Sequence, residues 1–236
     1  MNILVANDDG INAQGIRHLA EAAAEFGNVW VVAPDEQCSA MSHRITVFEP
    51  LAVKEVNYGD GIKAFSVKGT PADCVKLGID YILPVKPDIV FSGINMGYNT
   101  GIDILYSGTV GAAMEALIHG IPAAAFSVEM NGVFDTVDAH INEIIRFVLE
   151  NKAAMNEIWN INFPGCQADE CKGIIKGVHP ARQEFYSANY KKETEPDGSV
   201  KYISAGIPVT DGEPGTDIKA VLDRYIAIGK IRNTIL

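Results

Sequence analysis

Two adjacent carboxylates, Asp8 and Asp9, follow a short apolar segment near the start of the chain. Successive residues of a strand point to opposite faces, so both carboxylates can face one ion only if the chain has already left the strand. Gly10 makes such a turn easy. Adjacent carboxylates repel each other, and a bound cation relieves that repulsion. An Asp-Gly pair alone is typical of an ordinary surface turn, but its place after a buried strand favours a cation site.

Two further strand-like segments are followed by residues that carry oxygen ligands. Ser39 comes after residues 28–33, and Asn95 comes after residues 88–94. Serine and asparagine are more often turn residues than ligands, so only their position after strands makes Ser39 and Asn95 candidate metal ligands. In a doubly wound sheet, ligands bind beyond the carboxyl ends of the strands. Carboxylate, hydroxyl and amide oxygens together suit Mg²⁺ or Mn²⁺ better than zinc.

A second signal is the segment 106–113, YSGTVGAA, in which small and hydroxyl-bearing residues lead directly into a helical pattern. Free amides and the helix dipole at such a point form an anion site. Ordinary N-capping by Ser107 or Thr109 explains the same segment at least as well. The segment matches neither GxxxxGK[ST] nor GxGxxG, which argues against an ATPase or a dehydrogenase.

Other reactive side chains give weaker signals. His43 lies in the loop after Ser39, from which it can approach the site. Cys38 has no evident histidine partner and is more typical of an inert thiol than of a nucleophile. The four cysteines form no CxxC pair, so a structural zinc site is not expected, and the chain is too large for a disulfide scaffold.

The elements that must position these residues alternate along the first part of the chain. Predicted strands cover residues 2–6, 28–33, 88–94, 123–128 and 159–163, and predicted helices cover 12–26, 110–119 and 134–154. Continuous apolar strands alternating with helices indicate a mostly parallel sheet covered on both faces. The predicted fold class is therefore a three-layer, doubly wound α/β fold of Rossmann-like architecture.

The composition changes after about residue 173. The stretch 182–215 is polar and turn-rich, and Pro196-Asp197-Gly198 predicts a hairpin turn. We interpret this stretch as a protruding arm, followed by a closing helix over 216–228 with Thr216 or Asp217 as its N-cap. The predicted division is an α/β metal- and phosphate-binding core over 1–175, and an arm with a C-terminal helix over 176–236 that serves oligomerisation.

Bulk properties restrict the class of partner and the compartment. The net charge of −11 disfavours long nucleic acid, whereas a small phosphate ester is accommodated if a cation neutralises it locally. No apolar run reaches the length of a membrane span, and the N-terminus lacks the pattern of a signal peptide. We therefore expect a cytoplasmic protein with reduced thiols and no membrane partner.

Together these segments resemble the SurE (survival protein E) family of nucleotidases. The similar pieces run in order along nearly the whole chain: ILVANDDG (3–10), VVAPDEQCSAMSHRIT (31–46), VKGTPADCVKLGI (67–79), PDIVFSGINMGYNTGIDILYSGTVGAAMEA (87–116), INFP (161–164) and EPGTD (213–217). The chain departs from the family's pattern at Ala40, where glycine is common, and at Glu36, where a basic residue is common. Neither change removes a ligand, but both bear on loop shape and substrate preference.

The resemblance implies one divalent metal ion per subunit, Mg²⁺ or Mn²⁺. The implied metal ligands are those that the strand-end argument also selects: Asp8, Asp9, Ser39 and Asn95. The predicted phosphate- and substrate-binding residues are Asn12, Ser107, Gly108 and Thr109. The resemblance further implies hydrolysis of nucleoside 5′- or 3′-monophosphates, trimming of short polyphosphates by some members, and a homodimer or homotetramer that often exchanges C-terminal elements.

The mechanistic hypothesis is direct attack by a metal-associated water that Asp8 or Asp9 orients. Ser107 and Thr109 would stabilise the charge that develops on the phosphoryl oxygens. One alternative is a phosphatase that forms an aspartyl-phosphate, although such enzymes usually carry Asp-x-Asp and here the aspartates are adjacent. Another is a non-catalytic nucleotide-binding protein, which would bind AMP without turnover. A third is a structural oligomer with a vestigial site, which would show no metal affinity.

Overall fold

The computed structural model describes residues 1–59, 61–187 and 189–236. Its strands are β1 (Asn2–Ala6), β2 (Asn28–Pro34), β3 (Val53–Asn57), β4 (Lys63–Val67), β5 (Ile89–Met96), β6 (Ala123–Val128), β7 (Glu157–Phe163), β8 (Ile174–Val178), β9 (Tyr186–Ser187), β10 (Tyr190–Thr194), β11 (Val200–Ser204), β12 (Ile207–Pro208) and β13 (Ile226–Arg232). Its α-helices are α1 (Gln14–Ala24), α2 (Pro71–Leu77), α3 (Gly108–Ile118), α4 (Asp135–Glu150) and α5 (Asp217–Leu222).

Nine strands form one central sheet in the order β3-β4-β2-β1-β5-β6-β7-β13-β8. The pairs from β4 across to β7 are parallel, whereas β3 and β13 run antiparallel to β4 and β7. From β1 the chain proceeds outward to β2 and later returns to the other side of β1 as β5. This reversal is a topological switch point, where α/β sheets open a crevice beyond the carboxyl ends of the strands.

Helices cover both faces of the sheet, as the continuous apolar strands predict. In β1, Ile3 and Val5 pack in the core under α1 and α4, whereas Leu4 and Ala6 pack under α2 and α3. All four side chains are fully buried, which explains why β1 lacks the polar alternation of a half-exposed strand. The expected mostly parallel, three-layer α/β fold is confirmed.

Close backbone approach and local capping fix the helices that border the site. A Cβ atom at Gly15 would lie 1.9 Å from the carbonyl oxygen of Ile94, so only glycine lets α1 approach β5 this closely. The helix α2 begins with a capping box, in which the Thr70 hydroxyl accepts from the Asp73 amide and the Asp73 carboxylate accepts from the Thr70 amide. Both helices are thereby set against the carboxyl ends of the strands.

The arm contains the expected hairpin, formed by β10 and β11 in antiparallel register. Gly198 has a positive φ of 83°, and the amide of Ser199 bonds to the carboxylate of Asp197, as the Pro-Asp-Gly turn predicts. The predicted arm also contains residue 188, which lies outside the described residues. Within the described part of the chain, no helix is long and apolar enough to cross a membrane.

The predicted closing helix over 216–228 is too long. The helix α5 ends at Leu222, Arg224 adopts a positive φ of 65°, and Ile226–Arg232 forms β13. Short apolar runs suit a buried strand as well as a helix, and pairing with β7 and β8 decides in favour of a strand. The division at residue 175 stays a prediction, although β13 comes from the C-terminal part and lies within the core sheet. The strands β3, β4 and β8 and the helix α2 are elements that the sequence prediction does not include.

Candidate functional site

The turn after β1 is built by Asn7, whose fully buried side chain bonds twice to Gly10. Its amide nitrogen donates to the Gly10 carbonyl at 3.0 Å, and its amide oxygen accepts from the Gly10 amide at 3.2 Å. Gly10 has a φ of 97°, a value that favours glycine, and the amide of Ile11 donates to the Pro34 carbonyl. The chain therefore leaves the strand direction at Asp8 and Asp9, as the cation-site hypothesis requires.

Asp8 is buried and joins the end of β1 to the start of α3. The Thr109 hydroxyl donates to one of its carboxylate oxygens at 2.5 Å. A Cβ atom at Gly108 would lie 2.9 Å from the Asp8 Cβ and 3.0 Å from its other carboxylate oxygen, so only glycine fits there. Burial raises the pKa of Asp8 to about 6; the hydrogen bond from Thr109 lowers that pKa, and the neighbouring charge of Asp9 raises it.

Asp9 points toward the ends of β5 and β2. Its carboxylate accepts from the backbone amide of Met96 at 2.9 Å and from the side-chain amide of Gln37 at 3.3 Å. Burial raises the pKa of Asp9 as well, against the lowering effect of these bonds. Met96 directly follows Asn95, so the aspartate pair and the predicted amide ligand lie at adjacent strand ends.

Asn95 lies at the end of β5 and Ser39 lies in the loop that follows β2, and these two strands flank β1. The Asn95 amide nitrogen donates to the Gly97 carbonyl at 2.7 Å, which occupies the side-chain atom that could not coordinate a cation. Ser39 is exposed and follows Cys38, whose backbone amide donates to the carbonyl oxygen of Asp8 at 2.7 Å. The structure thus brings the four predicted ligand positions to one edge of the sheet, at the switch point.

The phosphate-binding prediction falls on the start of α3. The Ser107 hydroxyl accepts from the amide of Val110 at 3.1 Å, so Ser107 is the N-cap of this helix. The capping interpretation is therefore confirmed for Ser107, while Thr109 is fully buried and donates to Asp8 instead. The Ser107 hydroxyl accepts a hydrogen bond as the cap, and it can still donate its own hydrogen to another group. Asn12 is exposed in the turn before α1, and its role stays a prediction.

A buried asparagine network behind the site is a feature that the sequence analysis missed. Asn99 follows β5, and its backbone carbonyl accepts from the side chains of Asn160 and Asn162 at 2.9 and 3.2 Å. The Asn99 side chain donates in turn to Ser127 at 2.8 Å. The signal was present in the strand sequence WNINF, because two asparagines at alternate positions of a buried strand need partners.

The C-terminal part of the chain holds the segment that precedes the predicted phosphate-binding turn. Asp217 accepts from the amides of Gly101 and Ala181, both at 2.9 Å, and Asp103 accepts from the amide of Phe185 at 3.1 Å. Burial raises the pKa of Asp217 against its amide bonds. The segment 101–106, just before Ser107, is therefore held by contacts with the C-terminal part of the chain. Local sequence patterns do not reveal these contacts.

The donor set is suited to a hard divalent cation. It offers two carboxylates, a hydroxyl and an amide, and a cation would relieve the cost of keeping Asp8 ionised while buried beside Asp9. Among the described residues, no group of three or more His, Cys, Asp or Glu side chains is arranged to hold a metal. Cation binding itself stays a prediction.

Comparisons with known proteins place this arrangement in context. The profile of the family described as Survival protein SurE matches residues 3–187. A protein named 5′-nucleotidase SurE from Thermoanaerobacter pseudethanolicus is 44% identical and aligns over 98% of this chain and 92% of its own length. One of the same name from Caldanaerobacter subterraneus subsp. tengcongensis is 40% identical over 98% of this chain and 91% of its own. The crystal structure of the SurE protein from Aquifex aeolicus superposes with a TM-score of 0.85 at 37% identity, covering 98% of this chain and 93% of that one.

Proposed function

Because the chain belongs to the Survival protein SurE family, we propose that it is a 5′-nucleotidase that hydrolyses nucleoside monophosphates with the help of one divalent cation. The names of its relatives support the reaction. One observation of the structure supports the site: Asp8 contacts Thr109 at 2.5 Å and packs against Gly108. The predicted cation-binding carboxylates and the predicted phosphate-binding turn are therefore in direct contact.

The proposed cation is Mg²⁺ or Mn²⁺, held by the side chains of Asp8, Asp9, Ser39 and Asn95. When bound, it would polarise a phosphoryl oxygen and lower the pKa of a water molecule. The chain itself has a net charge of −11, so a phosphate monoester approaching this site needs local neutralisation. The buried Asp8 beside Asp9 provides the negative charge that would retain a cation there.

The proposed role of the start of α3 is to bind the phosphate. The amides of its first turn and its dipole favour an anion, and the Ser107 hydroxyl adds a donor beside them. Charge builds on the phosphoryl oxygens in the transition state, and preorganised donors stabilise it without reorganisation. Asp8 or Asp9 would orient the attacking water, since their carboxylates accept hydrogen bonds.

We also propose two finer properties that the family resemblance suggested. The substrates would include 3′-monophosphates and short polyphosphates, because the predicted contacts address the phosphate and not the sugar. The protein would act as a homodimer or homotetramer through its arm. Support for the latter comes from exposed apolar side chains on the hairpin, among them Tyr190, Tyr202 and Ile203.

The test is phosphate release from a panel of 5′- and 3′-monophosphates with Mn²⁺, with Mg²⁺ and with chelator. The wild type is compared with Asp9→Asn, which keeps the shape of the side chain but removes its charge. We expect metal-dependent release that falls at least about 100-fold in the variant, since the charge that retains the cation is reduced.

The rival functions give different results in the same assay. A phosphoenzyme trapped during turnover would support an aspartyl-phosphate mechanism instead. Tight AMP binding without phosphate release, from protein shown by circular dichroism to be folded, would indicate a nucleotide-binding protein. Folded protein with no metal affinity would indicate a structural oligomer and would overturn the proposed site.

A further inference from the structure

The loop that carries Ser39 needs external anchors to hold its shape. Within the described residues, the stretch 35–52 between β2 and β3 contains neither helix nor strand. Ala40 and Ser42 have positive φ values of 56° and 53°, which are unfavourable for residues other than glycine. Such conformations are strained and persist only where surrounding contacts impose them.

Several of those contacts reach the segment just before α3, α3 itself and α2. The Ser42 hydroxyl donates to the Leu105 carbonyl at 2.8 Å, and the Ser42 amide donates to the Tyr106 carbonyl at 2.9 Å. A Cβ atom at Gly111 would lie 2.4 Å from the Ser42 carbonyl oxygen, so the loop backbone touches α3 itself. Further along, Thr46 bonds to Asp73 of α2 through both its amide and its hydroxyl.

One anchor joins the side chains of His43 and Glu115. The His43 Nε2 atom lies 2.8 Å from a carboxylate oxygen of Glu115, and the Glu115 side chain is 5% exposed. The other carboxylate oxygen lies 3.2 Å from His119 Nε2, and His119 Nδ1 lies 3.4 Å from Asp80. Glu115 is therefore held on both oxygens and forms a rigid partner for His43.

The charge of Glu115 fits this role. Burial raises the pKa of Glu115, but the hydrogen bond and charge of His43, with the bond from His119, lower it below its ordinary value. The group therefore stays a carboxylate at neutral pH. Removing its partner would leave a buried charge with fewer bonds, which is costly.

Glu115 lies on the same helix as the phosphate-binding turn. It comes eight residues after Ser107, which corresponds to roughly 12 Å along the helix axis. Because α3 is one rigid element, its first turn and its third turn keep a fixed spacing. A loop tied to the third turn therefore has a defined position relative to a phosphate bound at the first.

We propose that His43 is a positioning residue, whose bond to Glu115 sets the place of the Ser39 loop and thereby the affinity of the site for its divalent cation. This inference rests on the proposed function, because it assumes that Ser39 binds the cation. In this role His43 would act through the loop and not as a ligand of the cation.

The chain offers a matched control in His18. Its Nδ1 atom lies 2.8 Å from Asp138, the same separation as in the His43 pair, and its side chain is 25% exposed against 32% for His43. The His18 pair joins α1 to α4 on the opposite face of the sheet. His18→Ala therefore removes a histidine–carboxylate contact of the same length without touching the Ser39 loop, although its partner Asp138 is 59% exposed and His18 also stacks on Phe134.

The experiment compares wild type, His43→Ala, His43→Gln and His18→Ala. The Mn²⁺ dissociation constant is measured by calorimetry, kcat and KM are measured with AMP, and amide hydrogen exchange is followed in residues 38–44. We expect His43→Ala to raise the Mn²⁺ dissociation constant about 10-fold and to speed exchange in the loop. His43→Gln, whose amide can still donate to Glu115, should recover part of the affinity, and His18→Ala should bind Mn²⁺ like wild type.

Each other outcome overturns a defined claim. If His43→Ala binds Mn²⁺ as tightly as wild type and loses only thermal stability, as His18→Ala does, then the positioning role is wrong while the proposed function stands. If both histidine variants weaken Mn²⁺ binding equally, the effect is global and the role is equally wrong. If the wild type neither binds Mn²⁺ nor releases phosphate from AMP, the proposed function fails and this inference with it.

Discussion

At the scale of single residues, the site depends on glycines at positions where any side chain would clash with a neighbouring segment. Gly108 lies against the Asp8 carboxylate, and Gly111 lies against the backbone of the Ser39 loop. Neither has a positive φ, so what requires glycine at these positions is close approach and not backbone conformation. The predicted metal ligand Asp8 and the predicted phosphate-binding residue Gly108 thus lie so close that no methyl group fits between them.

Gly108→Ala should therefore impair function more than stability. The added methyl group would meet the Asp8 side chain at 2.9 Å, and Asp8 must move to relieve the contact. We expect kcat/KM with AMP to fall about 100-fold, because a displacement near 1 Å in a catalytic constellation has effects of that size. Steady-state kinetics with Mn²⁺, together with thermal unfolding, provide the measurement.

Gly206→Ala is the control for that substitution. Its added methyl group would make ordinary contacts, the nearest at 3.4 Å from the Ser187 carbonyl oxygen. It should leave both kinetics and thermal stability unchanged. Wild-type kinetics in Gly108→Ala would mean that Asp8 has room to move and that its present position is not essential.

At the scale of secondary-structure elements, the seam between β7 and β13 carries a charged cluster. Glu157 pairs with Arg232 at 2.9 Å and with Lys230 at 3.2 Å across the antiparallel strands. Hydrogen bonds from Arg232 and then from Lys230 lower the pKa of Glu157. A carboxylate with a depressed pKa contributes stability above its unfolded pKa and loses it as the pH falls through its folded pKa.

Glu157→Gln should therefore destabilise the fold in a pH-dependent way. At pH 7 we expect the free energy of unfolding to fall by about 0.5–1 kcal/mol, a size typical of partly exposed ion pairs. The difference from wild type should shrink as the pH is lowered below the ordinary range of glutamate, because the wild type then loses the same interaction. Urea unfolding at a series of pH values measures this difference in the free energy of unfolding. The control for removing a surface carboxylate is Glu193→Gln on the exposed β10. A deficit that grew on acidification would contradict this assignment.

Elements with strong local signals were predictable from the sequence, and those decided by pairing were not. The strand β6 has the predicted bounds, because AAAFSV is apolar except for one small serine, Ser127, and is bounded by Pro122 and by polar residues. The segment IAIGKIR of β13 begins with a short apolar run, and only pairing with its neighbours in the sheet distinguishes a strand from a helix there. The exposed VKEVN of β3 carries little hydrophobic pattern and becomes a strand by pairing with β4.

The site was predictable to a similar depth. The positions of Asp8, Asp9, Ser39 and Asn95 followed from one rule about strand ends, and the structure brings these strand ends together. The contact between Thr109 and Asp8 joins residues 101 positions apart, and no local pattern announces it. The hydrogen bond from the Gly101 amide to Asp217 joins residues 116 positions apart, and it could not be predicted for the same reason.

At the scale of the whole molecule, the C-terminal part has two unequal components. The strand β13 completes the central sheet, whereas the hairpin β10–β11 is exposed along its entire length. The ends of the hairpin are close, since the amide of Ala205 donates to the Asn189 carbonyl at 2.8 Å. The hairpin can therefore be excised without breaking the chain path.

Replacing residues 190–204 by a short Gly-Ser linker should preserve the fold and change the oligomeric state. We expect the apparent melting temperature of the isolated subunit to change little, because the removed residues contribute nothing to the three apolar cores. Light scattering coupled to size-exclusion chromatography should show a smaller assembly than that of the full chain. An unchanged assembly would place the subunit contacts elsewhere on the surface, and removal of residues 226–232 instead should abolish folding.

The position of β8 at the end of the sheet has a consequence for how the protein is made. β8 is held in the sheet by β13, a strand that is separated from β8 by 47 intervening residues and is therefore translated later. While a ribosome is still synthesising the arm, β8 has no partner and the outer edge of β7 stands open. Unpaired strand edges attract other chains, so this interval is when the nascent polypeptide is most exposed to aggregation and most in need of a chaperone. Synonymous codons that slow elongation through the arm would lengthen the interval in which β8 and the outer edge of β7 are unpaired.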